Sequence, residues 1–254
     1  MILSQNIDKD EIFLTIVIPA YNEAKRITRS LEDVKNFFRS ADKSIEIIVV
    51  IEKSTDDTLL LARQSAGNDP RFQIIANEVQ KGKGFAVRTG MLKARGKFAF
   101  FMDLDLSTPL VEVFNFLAYF DQHPETLVLI GSRQHPKSTL IKRQHPLRQK
   151  MGSIFNGLVQ MFALKGISDT QCGFKAFRKE VVLPIFKRCK LNGFSFDVEV
   201  LMLAEALGFK FEALPVKWIN AADSKVRMIQ DSMKMFFDVL KIKSIVSKTM
   251  REKI

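Results

Sequence analysis

Residues 98–109 read Phe98-Ala99-Phe100-Phe101-Met102-Asp103-Leu104-Asp105-Leu106-Ser107-Thr108-Pro109. Five uninterrupted apolar residues have the length of a strand covered on both faces. Two carboxylates follow at once. Alternate residues at a strand end point the same way unless the chain turns, so Asp103 and Asp105 are expected together at the carboxyl edge of this strand. Ser107-Thr108-Pro109 reads as a helix cap with proline in the first turn, which predicts a helix over 109–120. The carboxylate pair suits a hard divalent cation, Mg²⁺ or Mn²⁺, that keeps waters and bridges to a diphosphate, offsetting the charge of the leaving group. Taken alone, the same pair also fits a solvated turn.

Working outward, short β-branched runs recur at 12–18, 45–51, 72–75 and 127–130. Segments with helical periodicity separate them at 23–39, 56–65 and 83–94. That alternation predicts an α/β fold, with βαβ units and a mostly parallel central sheet flanked by helices. With 254 residues, 46% of them apolar, one domain can bury its own core without staples. No repeat or linker divides the chain. It reads as a single domain, with a ligand-binding half over 12–130, a more irregular half over 131–225 and a basic amphipathic tail over 226–254.

Only Cys172 and Cys189 are present, which argues for packed thiols and a reducing compartment. The first twenty residues lack a basic region and carry Asp10-Glu11, so no signal peptide is expected. No apolar run reaches about eighteen residues, so no transmembrane helix is expected. The net charge of +11 concentrates in 137–150 and from Lys225 onward. Such a surface serves nucleic acid, anionic lipid or phosphorylated small molecules equally well. Met151, Ile154, Phe155, Leu158, Val159 and Phe162 share one helical face. Val226, Ile229, Met233, Phe236, Phe237 and Leu240 share another, with Lys234, Lys241, Lys243, Lys248, Arg251 and Lys253 around it. A basic amphipathic end fits a peripheral place on an anionic bilayer from the cytoplasmic side, and equally a terminal helix packed on its domain.

Other strand ends carry further candidates. Pro19-Ala20-Tyr21-Asn22-Glu23 closes the first strand, where open α/β sheets bind ligands; a tyrosine can face a nucleobase and a carboxylate can accept from a base N–H. The same five residues also make a turn and cap. Glu52 ends the second strand as a ribose or base ligand or as a loop carboxylate, before Ser54-Thr55-Asp56-Asp57 caps the next helix. Lys81-Gly82-Lys83-Gly84 opens a helix where backbone N–H groups and ammonium groups can meet phosphate. It lacks the upstream glycine and following Ser/Thr of a Walker A loop.

Together these residues resemble a family 2 glycosyltransferase of the GT-A fold. The branch most similar charges polyprenyl phosphates, the dolichyl-phosphate β-glucosyltransferases and dolichol-phosphate mannosyltransferases. The resemblance rests on 16–23, Gly82-Lys83-Gly84 with 87–91, 103–109, Gly131-Ser132-Arg133, Asp169-Thr170-Gln171-Cys172-Gly173-Phe174-Lys175, and Trp218 with Ser224-Lys225-Val226. The 169–175 run and the Ser-Thr-Pro after the acidic pair favour the glucosyltransferase side.

The resemblance implies a nucleotide-sugar site in which Pro19, Ala20, Tyr21 and Glu23 hold the base, with Glu52 and Lys83 nearby. Asp103, Leu104 and Asp105 then serve ribose, diphosphate and a Mg²⁺ or Mn²⁺ ion, with Asp105 as the direct metal ligand. Arg133, Lys225 and Arg227 become cations for the donor diphosphate or acceptor phosphate. Asp197 and Glu199 match a stretch that carries an acceptor-side acid in relatives, which an acceptor hydroxyl needs and a polyprenyl monophosphate does not. The implied partners are a nucleotide-sugar, UDP-glucose before GDP-mannose, a polyprenyl phosphate and a membrane surface. A basic nucleic-acid-binding α/β module is the alternative of a different class, and the acidic sheet edge speaks against it. Two departures stand out: Ile51-Glu52-Lys53-Ser54 replaces the usual Asp-Asp-Gly-Ser, and the anchor helix of many relatives is missing from the pattern.

Overall fold

The computed structural model describes residues 11–41, 43–142, 155–157, 159–161, 163–164, 166–220 and 228–252, the side chains of 142 and 228–232 excepted. Strands β1 (Leu14–Ala20), β2 (Ile45–Ile51), β3 (Phe72–Ala76), β4 (Phe98–Met102), β5 (Val128–Ser132), β7 (Phe174–Arg178) and β8 (Phe211–Pro215) form one sheet in the order β3-β2-β1-β4-β7-β5-β8. Helices α1 (Ile27–Phe37), α2 (Thr58–Ala66), α3 (Lys83–Met91) and α4 (Glu112–Gln122) link the first strands, and α5 (Lys179–Phe186), α6 (Phe196–Ala206) and α7 (Met228–Arg251) follow. β6 (Thr139–Lys142) and β9 (Lys217–Ile219) pair as a separate parallel ribbon.

Every residue of β2 and β4 is buried, as strands covered by helices on both faces require. Alternation sorts the side chains into two cores. Val17, Ile48, Val50 and Phe101 face α3, α6 and α7, whereas Ile16, Ile18, Val49 and Phe100 face α1 and α4. Each such side chain contributes about 1.5–3 kcal/mol by leaving water.

All pairings along β3-β2-β1-β4 are parallel, and β4 lies on the opposite side of β1 from β2. The chain therefore switches direction across the sheet between β1 and β4, which opens a crevice beyond their carboxyl ends. β7 is antiparallel between β4 and β5, with Met102 opposite Phe174. This insertion brings 169–173 to the edge where β4 ends, and β5 delivers Arg133 to the same edge.

Several expected boundaries move. The fourth helix begins at Glu112, not at Pro109, and no side chain caps it. Pro109 and Leu110 instead accept turn hydrogen bonds from the N–H groups of Glu112 and Val113, because 103–108 is already committed to a turn with Leu106 at φ 51°. The first helix starts at Ile27, not Glu23, because Asn22 takes φ 52° and the Glu23 N–H is spent on Thr58 Oγ1 at 2.7 Å. At the other end, α7 turns Val239, Ile242 and Val246 inward. The expected apolar face is the outer one: Met233, Phe236, Phe237 and Leu240 are exposed. Val226 lies outside the described residues, as do Met151, Ile154, Leu158, Phe162 and 143–150; Phe155 is half-buried and Val159 buried. Among the described residues no helix is long and apolar enough to cross a membrane.

Candidate active site

The crevice is built from three loops at the carboxyl edge. The first joins the ends of β1 and β2. Asn22 donates its N–H to Ser54 Oγ at 3.0 Å and accepts from the Thr55 N–H at 2.8 Å, while Ala24 N–H reaches Asp56 Oδ2 at 3.1 Å. Asp56, rather than Asp57 at the cap position, accepts from the Thr58 N–H at 3.1 Å. Glu23 is ion-paired with Arg26 at 2.7 Å. Pro19 and Ala20 thus close β1, and Tyr21 opens a turn braced from two sides.

The second loop is held by Glu52, which is 2% exposed. Its carboxylate accepts from Asn77 Nδ2 at 2.6 Å, from the Lys81 N–H at 2.6 Å and from the Gly82 N–H at 2.8 Å. Of the two roles expected for Glu52, the hydrogen bonds match the loop carboxylate: Oε1 takes Asn77 and Oε2 the two N–H groups of 81–82. Gly82 has φ +118°, and a Cβ there would lie 2.7 Å from the Asn192 carbonyl oxygen, so only glycine fits between Glu52 and the 189–193 loop. That loop is itself held by Arg88, which donates to the Cys189 carbonyl at 2.6 Å, and by Glu199, which accepts from Lys190 and Leu191 N–H at 2.8 Å each.

The result is to aim Lys83 at the third loop. Its ammonium lies 2.6 Å from Asp103 Oδ1. Burial works against that charge, but Asp103 foremost, then Asp197, outweighs it and holds the ammonium above its ordinary range. The 103–106 turn is fixed by Leu106 N–H to the Asp103 carbonyl at 3.2 Å and by Ser107 N–H to Asp105 Oδ1 at 2.9 Å. Leu104 points into the core and is buried. Asp103 N–H donates to the Gly173 carbonyl at 3.0 Å, and the Asp103 carboxylate lies against the Gly173 Cα, where a Cβ would stand 1.9 Å from Oδ2.

Arg133 is no isolated cation. Its Nε and Nη2 donate to the two oxygens of Asp169 at 2.8 Å each, and its N–H donates to Oδ2 at 2.8 Å. The guanidinium lies 5.7 Å from the Trp218 ring, which β9 supplies. Burial opposes the ionised form of Asp169, and Arg133 outweighs it, so the carboxyl stays below its ordinary range. A bidentate pair of this kind fixes the plane of the guanidinium beside the crevice.

Asp197 and Glu199, the expected acceptor-side acids, are both buried and partnered inside the protein. Asp197 is 1% exposed and paired with the fully buried Lys175, whose ammonium also donates to the Cys172 carbonyl at 2.8 Å. Burial, against Lys175 and Lys83, raises the Asp197 carboxyl above its ordinary range. Glu199 is buried on the 189–193 loop as described. Lys225 and Arg227 lie outside the described residues. Asp169, Lys175 and Arg88 were not among the expected site residues; the 169–175 run carried the only signal for two of them.

Among the described residues no group of three or more His, Cys, Asp or Glu gathers to hold a metal. The protein offers two carboxylates at an open edge. That donor set fits Mg²⁺ or Mn²⁺, which complete their shell with water and phosphate oxygens.

The sequence profile of glycosyl transferase family 2 matches residues 15–186. The dolichyl-phosphate beta-glucosyltransferase of Saccharomyces cerevisiae is 35% identical over 95% of this chain and 77% of its own length. Its Mus musculus counterpart is 31% identical over 91% and 74%. Among solved structures, glucosyl-3-phosphoglycerate synthase from Mycobacterium tuberculosis, in complex with Mn²⁺, UDP and glucosyl-3-phosphoglycerate, superposes with a TM-score of 0.69 at 17% identity, covering 94% of this chain and 81% of that one. A complex of the same enzyme holds Mg²⁺ and UDP. The seven-stranded, mostly parallel sheet is the GT-A arrangement, and the chain belongs to glycosyl transferase family 2.

Proposed function

We propose that this glycosyltransferase moves a hexose, glucose in the first place, from UDP-glucose to a polyprenyl phosphate such as dolichyl phosphate, with inversion. The observation that carries the choice of acceptor is the burial of Asp197 and Glu199. A hydroxyl acceptor needs a general base within reach, and both carboxylates expected to serve are engaged inside the protein. A phosphate monoester is already a nucleophilic anion. The sequence similarity to dolichyl-phosphate beta-glucosyltransferases across nearly the whole chain supports the same reading.

In this mechanism an acceptor phosphate oxygen attacks the anomeric carbon, the bond from that carbon to the diphosphate breaks, and its electron pair leaves with UDP. Asp103 and Asp105 would hold Mg²⁺ or Mn²⁺, which would supply positive charge to offset that of the leaving diphosphate. Arg133, held by Asp169, stands beside the same edge as a fixed cation that needs no reorganisation during reaction, and the Lys83 ammonium lies there against Asp103. Tyr21 and its turn take the base.

The outer face of α7 supports access to a lipid. Met233, Phe236, Phe237 and Leu240 form an exposed stripe at helical spacing, flanked by exposed Lys234, Lys241 and Lys243. Apolar insertion beside basic groups matches an anionic bilayer surface.

A donor panel tests the proposal: UDP-glucose, GDP-mannose and UDP-N-acetylglucosamine, each with Mn²⁺ and dolichyl phosphate in vesicles. UDP-glucose is expected to give lipid-linked sugar. Transfer only to a free hydroxyl acceptor would refute the acceptor assignment.

A further inference from the structure

In the structure Asp103 already has a cation, the ammonium of Lys83 at 2.6 Å. A divalent ion that takes this carboxylate must displace that ammonium or share the carboxylate with it, and sharing sets two positive charges side by side. Displaced, Lys83 has few places to go. Asp197 lies close enough to influence it but is committed to Lys175. The Phe196 ring, 5.9 Å from the ammonium, closes another side. The helix cannot swing away, because Gly82 and Gly84 are wedged against Asn192 and Phe196, where a Cβ would meet atoms at 2.7 and 2.5 Å. Glu52 fixes the preceding backbone from the other side.

We infer that Lys83 makes metal and nucleotide binding interdependent: it stands in for the metal at Asp103 in the donor-free enzyme and transfers to the diphosphate when the two ligands arrive together. The inference rests on the nucleotide-sugar reading of this site. Metal alone meets a repelling ammonium. Metal with a diphosphate brings anionic oxygens that can take the ammonium, so each ligand improves the site for the other by the same factor. The two available carboxylates, with no third among the described residues, suit a metal that arrives with its phosphate oxygens.

The test measures Mn²⁺ binding by loss of the free-ion electron paramagnetic resonance signal on the full chain, with and without UDP, each against a protein-free solution of the same Mn²⁺ and UDP. Wild type is expected to bind Mn²⁺ at least about tenfold more tightly when UDP is present. Lys83→Met is expected to bind Mn²⁺ alone about tenfold more tightly than wild type, and the gain from UDP to shrink by about the same factor, leaving the part that phosphate oxygens on the ion supply. Lys83→Gln, which keeps a donor toward Asp103 without the charge, is expected to behave like Lys83→Met, and Lys83→Arg is expected to retain the coupling. Thermal melting of each variant confirms folding before titration. Unchanged Mn²⁺ affinity in folded Lys83→Met or Lys83→Gln, or a gain from UDP as large as in wild type after loss of the charge, overturns the inference and leaves the donor reading intact. Failure of wild type to bind UDP at any Mn²⁺ concentration overturns both.

Discussion

Gly173→Ala isolates the placement of Asp103 from the stability of the fold. The three nearest atoms to the new Cβ all belong to the Asp103 carboxyl group: Oδ2 at 1.9 Å, Cγ at 2.3 Å and Oδ1 at 2.6 Å. To regain ordinary contact the carboxylate must retreat by roughly 1.6 Å. It can do so by rotating outward, since the Asp103 side chain is 40% exposed, and in rotating it gives up Lys83. A partly exposed ion pair is worth about 1 kcal/mol or less, so the melting temperature should fall by only a few degrees. With Asp103 as the metal ligand proposed above, a displacement of that size is expected to cost about 10²-fold in turnover. The assay is sugar transfer under saturating donor, beside a thermal melt. In an Asp103→Ala background the glycine substitution should cost little further, because the three atoms nearest the new Cβ are gone. Wild-type turnover in Gly173→Ala refutes this reasoning. So does a collapse in stability, which would show that β7, not the carboxylate, had moved.

Other substitutions separate the remaining roles. Glu52→Ala removes the acceptor of three hydrogen bonds and is expected to cost about 1–3 kcal/mol in urea unfolding; Glu52→Gln should restore part of it by keeping one acceptor oxygen. Lys175→Met leaves Asp197 buried without its partner and is expected to cost about 3–5 kcal/mol, while Lys175→Met with Asp197→Leu recovers most of that loss. Asp169 has a depressed folded-state carboxyl, so its contribution is complete above the unfolded value near 3.9 and is lost as pH falls through the folded value. The stability deficit of Asp169→Asn at pH 7 should accordingly shrink below about pH 4, and a deficit that grows on acidification contradicts the pairing with Arg133. Phe236→Ser with Phe237→Ser should weaken sedimentation with anionic vesicles about tenfold or more and leave the melting temperature unchanged, because both rings are exposed.

The strands were legible because a strand buried on both faces leaves a continuous apolar run, as at Ile45–Ile51 and Phe98–Met102. β7 was not. Phe174-Lys175-Ala176-Phe177-Arg178 carries a lysine at a fully buried position, and its counter-ion Asp197 is supplied by a helix further along the chain. Asp103 and Asp105 were found by their place after a strand, but their partners were hidden. The pairs Arg133–Asp169 and Lys175–Asp197 form only when the antiparallel insertion folds 169–175 back to the edge, and Lys83–Asp103 only when the start of α3 meets the end of β4 there. Glu52 could be read as a ligand or as a loop carboxylate because it ends a strand; nothing local tells that the 81–82 backbone will turn in to meet it. The terminal helix carries apolar residues on two sides, so periodicity alone could not say that Val239, Ile242 and Val246 pack inward while Phe236 and Phe237 face out.

The most direct measurement incubates the purified chain and Asp105→Ala with radiolabelled UDP-glucose, Mn²⁺ and dolichyl phosphate in vesicles, and extracts the lipid. Wild type is expected to produce a β-linked glucosyl lipid phosphate, and Asp105→Ala to produce at least about 10²-fold less. Equal label from the two proteins, or none from wild type, would contradict the assignment of the Asp103–Asp105 edge as a sugar-transfer site.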